Sequence, residues 1–211
     1  MRFEQTDILD SPTGAALAIR AEPAQGAARA IVLVCHGLAE HSARYGRFAR
    51  FLAERGYDVL AWDHRGHGLT RAADAPAGRF AARDGVAKVL ADLQAVCAHA
   101  KSRFPSLPVI LFGHSMGGMI ALSAAEAFPE EFDALAVWNA DLNPGLAGEA
   151  GTLLLKAERF LKGSDVPSLL APRLTFEAWG KSIAGARTPF DWLSRDPAEV
   201  EAYADDPLCG F

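Results

Sequence analysis

The stretch VILFGHSMGG, residues 109–118, ends an apolar run on a serine fenced by glycines: Gly113, Ser115, Gly117 and Gly118. A hydroxyl carried on a sharp bend between a strand and a helix is placed to attack a carbonyl carbon. Such a bend strains the serine backbone and packs the chain closely on both sides, which only neighbours lacking a Cβ tolerate. Attack drives negative charge onto the carbonyl oxygen, and backbone N–H groups must hold it. One donor comes from the residue after the serine, here Met116, and one from a loop closing an earlier strand. The segment HGLAEH at 36–41 follows such a strand and offers the amide of Leu38. Each donor is worth about 3 kcal/mol of barrier. The competing readings are an ordinary N-cap serine at 115 and a plain strand-ending turn at His36 and Gly37.

A serine hydroxyl is a weak nucleophile without an adjacent base that is itself oriented by a carboxylate. In the sites that GHSMGG resembles, the order along the chain is serine, acid, histidine. All six histidines, His36, His41, His64, His67, His99 and His114, precede Ser115. His114 points away from its neighbour if the bend is built as described, and His99 belongs to a crossover helix. His36 and His41 lie by the Leu38 loop, yet either as base would require a different architecture. The expectation is a partial chain, incomplete at its C-terminus, with the acid and the base outside these residues and no turnover from this chain alone.

The elements that must position these groups are legible from periodicity. Residues 2–9 and 15–21 read as two antiparallel strands joined by a turn at DSPTG. AIVLVCHG, 30–37, is continuously apolar, as a strand buried on both faces should be. Tyr45, Phe48, Phe51 and Leu52 fall at helical spacing before a stop at Gly56, and YDVLAWD, 57–63, is the next strand. A loop at 64–80 leads into a helix over about 82–104, whose face carries Val86, Val89, Leu90, Leu93, Val96 and Cys97. The strand before Ser115, the helix after it and a strand at 132–140 complete the alternation. This predicts an α/β fold, a mostly parallel sheet with helices on both faces and right-handed crossovers. Residues 1–140 form the core of that reading, and 141–211 an inserted cap of short helices. The strand ALAVW would lie at an exposed edge, with Trp138 lacking cover.

Composition bounds the rest. The 211 residues are 50% hydrophobic, enough for one core carrying an insertion, and the formal charge of −5 with no basic, aromatic-laced run excludes nucleic acid as a partner. Cys35, Cys97 and Cys209 are odd in number and lie in separate elements, which points to a reducing, cytoplasmic setting. No pattern of metal ligands and no cofactor motif is present. MRFEQTDILD lacks the apolar centre of a signal peptide. Residues 104–125 carry no Asp, Glu, Lys or Arg, but Pro105, Pro108 and the glycine pair break that run into strand, turn and helix.

Together, CHGLAEHSARY, DHRGHG and GHSMGG resemble the α/β-hydrolase superfamily, specifically its monoacylglycerol lipase and lysophospholipase branch, also filed with serine aminopeptidases. The resemblance runs through the whole chain. It implies Ser115 as nucleophile, Leu38 and Met116 as the oxyanion hole, and Glu40 and Arg44 as a polar, substrate-binding end near the ester's alcohol. It implies hydrolysis of a carboxylic ester, a monoacylglycerol or lysophospholipid, through an acyl-serine and without cofactor. DHRGHG departs from the branch by continuing in Leu69 and Thr70 where a serine is common, and Asp63, His64 and Arg65 read as a braced loop. The leucines of the cap suit an acyl chain, or simply pack on the core. Expected partners are a small ester or lipid, a membrane surface touched transiently through the cap, and the missing C-terminal segment. Two other readings stay open: a non-catalytic binding protein of the same fold, and an aminopeptidase or haloperoxidase-type relative.

Overall fold

The computed structural model describes residues 3–143, 145–163, 166, 168 and 170–211. Six strands, β1 (Asp7–Asp10), β2 (Ala16–Glu22), β3 (Ala30–Cys35), β4 (Tyr57–Trp62), β5 (Val109–His114) and β6 (Ala134–Trp138), form one sheet in the order β1-β2-β4-β3-β5-β6. The first two pairings, β1 with β2 and β2 with β4, are antiparallel, and β4-β3-β5-β6 run parallel. The expected antiparallel start on a parallel sheet is therefore present.

Every residue of β3 is buried, and its side chains alternate between two layers. Ile31, Leu33 and Cys35 join Leu60, Trp62 and Leu111 against Val89, Leu93, Val96 and Cys97 of α2 (Gly85–Arg103) and Ile120, Ala121 and Ala124 of α3 (Met116–Ala127). Val32 and Val34 point the other way, with Val59 and Ala61, toward Phe3 and Ala49 of α1 (Gly46–Ala53). Burial of each such side chain contributes about 1.5–3 kcal/mol before entropy is counted. A strand between two helical layers has no polar face, which is why its sequence does not alternate.

Three local expectations are corrected. The first strand is Asp7–Asp10, not 2–9. Phe3 is instead held by side chains of β2: its N–H donates to Glu22 at 3.0 Å and Arg20 donates to its carbonyl at 3.3 Å. Before α1, Ser42–Tyr45 forms a 3₁₀ turn, and Phe51 is exposed beneath the Arg55 guanidinium, while Tyr45, Phe48 and Leu52 pack on the sheet. Helix α2 begins at Gly85 rather than 82 because Asp84, at φ 55°, is left-handed.

The chain divides into two compact units, Met1–Asp141 with Phe211, and Leu142–Gly210. In the first, Phe211 lies 5.2 Å from the His67 ring. The second contains α4 (Gly145–Lys162), α5 (Ala171–Leu174), α6 (Phe176–Ser182) and α7 (Pro197–Ala204). Helix α4, 18 residues long, is not one of the short helices expected over 141–211. Glycines cost a helix about 1 kcal/mol each, and the intervening Leu, Ala, Glu and Lys favour it. In this unit Phe176, Trp179 and Trp192 form a ring cluster with centroids 5.0–5.6 Å apart, and Glu158 accepts from Lys162 at 2.8 Å.

Candidate active site

Ser115 stands between β5 and α3 with φ 54° and ψ −120°, a conformation non-glycine residues rarely occupy. Its N–H donates to the Trp138 carbonyl at 2.9 Å, tying the bend to β6. Its side chain does not cap α3, contrary to what an N-cap serine would do. The glycines explain how the bend is possible. A Cβ at Gly113 would stand 2.2 Å from the Gly117 carbonyl oxygen, and one at Gly118 would stand 2.9 Å from Ala140 Cβ. A Cβ at Gly117 would meet the carbonyls of Cys35 and His36 at 2.2 and 2.5 Å. The start of α3, with Met116, is thus pressed onto the end of β3 where the Leu38 loop departs.

That loop is built around Gly37. Its N–H donates to Glu40 Oε1 at 2.6 Å, and its carbonyl lies 2.7 Å from His36 Nδ1. Glu40 Oε1 also accepts from the Tyr45 hydroxyl at 2.8 Å, and Oε2 from Arg44 Nε at 3.2 Å. His114 Nδ1 is 3.1 Å from the Tyr45 hydroxyl and 3.4 Å from Glu40. Burial alone would raise the Glu40 carboxyl, but hydrogen bonds from His114, Tyr45 and the Gly37 amide prevail and hold it down at about 2. Of the residues expected at a polar substrate end, Glu40 is 12% exposed and committed to bracing the loop, with Arg44 paired to it. Leu38, by contrast, is 46% exposed.

The loop after β4 is a second hydrogen-bonded frame. Asp63 Oδ1 accepts from Ser42 N and Oγ at 2.8 and 2.6 Å, and Oδ2 from Leu69 N at 2.7 Å. Thr70 donates to the Asp63 carbonyl at 2.6 Å and accepts from Ala18 N at 2.9 Å. Arg65, wholly buried, donates to Asp92 at 2.8 Å, Asp74 at 3.2 Å and the Phe80 carbonyl at 2.9 Å. Asp92 also accepts from Ser11 and Thr13. Sequence reasoning misses Asp92. Its one signal is a carboxylate between Val89 and Val96 on the apolar face of α2.

His64 N–H donates to His36 Nε2 at 2.9 Å, and the His36 ring lies 4.3 Å from that of His64 and 5.3 Å from that of His67. Burial lowers all three imidazoles, His67 to about 4, so all are neutral near pH 7. With both nitrogens engaged, His36 has none left to deprotonate a hydroxyl.

A family model described as serine aminopeptidase, S33, matches residues 26–211. The chain belongs to that family. It is 31% identical over 180 residues to a monoacylglycerol lipase of Mycolicibacterium smegmatis, covering 85% of this chain and 56% of that protein. It is 34% identical over 185 residues to the monoglyceride lipase of Homo sapiens, covering 87% and 53%. The chain spans about half the length of these curated relatives. Among solved structures it resembles a highly thermostable carboxyl esterase from Bacillus coagulans in complex with glycerol. The TM-score is 0.79 and the identity 27%, over 100% of this chain and 67% of that one. The α/β-hydrolase fold and the likeness to the monoacylglycerol lipase branch, both read from the motifs, hold for this S33 chain.

Proposed function

We propose that the polypeptide carrying this chain is a serine hydrolase of carboxylic esters, monoacylglycerols or lysophospholipids, with Ser115 as nucleophile. The observation that carries this reading is the left-handed backbone of Ser115 (φ 54°), its hydroxyl not spent on capping α3, directly beside the loop that bears Leu38. The names of the relatives, monoacylglycerol lipase and monoglyceride lipase, support the substrate class.

In this reading a base takes the Ser115 proton as Oγ bonds to the ester carbon. The resulting oxyanion is held by the amides of Leu38 and Met116. Collapse breaks the bond to the alcohol, which leaves with the proton, and water then frees the acid by the same path. The base and its carboxylate partner are supplied from outside these residues, and the chain alone does not turn over. Arg44, held by Glu40, marks the side where the alcohol leaves. Residues 141–211 act as the cap. Leu146, Leu153 and Phe160, exposed at intervals of seven along α4, serve acyl chains or a lipid surface. No described helix is long and apolar enough to cross a membrane, and a cytoplasmic setting is part of the proposal.

A serine-directed fluorophosphonate probe on the full-length polypeptide should label Ser115, and Ser115→Ala should abolish both labelling and ester turnover. A folded protein that neither labels nor hydrolyses short esters overturns the reading in favour of a binding protein. Faster turnover of peptide amides than of monoacylglycerol or lysophospholipid would overturn the substrate class.

A further inference from the structure

The Leu38 N–H belongs to the same peptide plane as the Gly37 carbonyl. No cis peptide occurs among the described residues, so the two point in opposite directions, and whatever holds the carbonyl aims the amide. The group that holds it is His36 Nδ1, at 2.7 Å.

The hydrogen-bond network assigns the proton on that ring. The His64 backbone N–H can only donate, so His36 Nε2, 2.9 Å away, is its acceptor and carries no hydrogen. The neutral ring therefore bears its proton on Nδ1, where the Gly37 oxygen needs a donor. His64 cannot drift from its place, because the next residue, Arg65, is locked by Asp92, Asp74 and Phe80. On the other side of Gly37, its N–H is held by Glu40 at 2.6 Å. Gly37 is thus held at both its N–H and its carbonyl. Of the two clamps, the His36 one fixes the plane that contains the proposed oxyanion donor.

We propose that His36 is a positioning residue for acyl transfer: anchored at Nε2 by the His64 amide, its Nδ1–H holds the Gly37 carbonyl and so aims the Leu38 N–H at the oxyanion. The proposal rests on Ser115 being the nucleophile. His36 touches no reacting atom and acts through the backbone. A ring serving only to fill the core would need neither nitrogen to be placed.

The two nitrogens can be separated by substitution in the full-length polypeptide. His36→Asn keeps an N–H donor where Nδ1 stood. His36→Gln keeps an acceptor for the His64 amide but loses that donor, and His36→Phe keeps only bulk. We expect kcat for a short ester to fall about 10- to 100-fold in the Gln and Phe variants. KM should stay within about threefold, and the Asn variant within about fivefold of wild-type kcat. Variants whose kcat simply follows their thermal stability, or that change KM instead, would overturn the assignment while leaving Ser115 in place. An inert wild type that also resists fluorophosphonate would instead remove the nucleophile on which the proposal rests. Independently of turnover, imidazole ¹⁵N spectra near neutral pH should show His36 protonated at Nδ1 and bare at Nε2. The opposite tautomer, or an imidazolium, would overturn the proposal.

Discussion

A Cβ at Gly117 would lie 2.2 Å from the Cys35 carbonyl oxygen, a backbone atom at the end of a fully buried strand that cannot step aside. Gly117→Ala should therefore cost at least about 2 kcal/mol in urea unfolding and reduce fluorophosphonate labelling of Ser115 with it. Gly151 is the control. Inside α4, with nothing within 4 Å of where a methyl would stand, Gly151→Ala should stabilise by about 0.5–1 kcal/mol. The Arg65 and Asp92 pair is a third residue-scale test, since both side chains are almost wholly enclosed. Asp92→Ala leaves a buried guanidinium with only Asp74 as a carboxylate partner, and a loss of about 3–5 kcal/mol in the same unfolding assay is expected. The glycines were legible in the sequence because the bend they flank is local, and Gly113 meets Gly117 only four residues on, although what Gly117 itself meets, the Cys35 carbonyl, is set by where α3 lands on β3. The partner of Arg65 was not, because it stands 27 positions away and is chosen by where α2 lands.

At the scale of elements, β6 shows what sheet position decides. Its neighbour β5 alternates buried and half-buried residues, whereas β6, of similar composition, is mostly exposed and pairs only with β5 among the described residues. Trp138, 66% exposed, stands on this edge. An open, apolar edge invites pairing with other chains. Trp138→Lys should lower self-association of the 211-residue chain in sedimentation velocity while changing its unfolding free energy by no more than about 0.5 kcal/mol. The strands buried between helices were readable as unbroken apolar runs. The first strand is shorter than its pattern suggests because side chains of Glu22 and Arg20, rather than a ladder, hold the segment before Asp7.

For the whole molecule, acid should act early. His36, His64 and His67 are buried neutral, and the pKa of His67 falls from its ordinary 6.5 to about 4. The unfolded chain then binds more protons than the folded one below pH 6.5. Stability is fully present above that value and is lost as pH falls through about 4, by about 3 kcal/mol for His67 alone. Glu40 adds a loss of the same sign between about 4.5 and 2. Urea unfolding followed from pH 8 to 4 should show the decline beginning near 6.5, and a profile flat down to pH 5 would contradict the neutral imidazoles. By itself, the sequence determined the alternation of strand and helix, the bend at Ser115 and its family likeness. These follow from periodicity and from the glycines that flank the serine in the sequence. Only the tertiary structure decided that His36 spans from His64 to Gly37, that Glu40 faces inward, and that Asp92 meets Arg65. The bonds of His64 to His36, His114 to Glu40 and Arg65 to Asp92 join residues that the chain holds apart, and they form only once the sheet has brought the ends of β3, β4 and β5 together and α2 has packed on it.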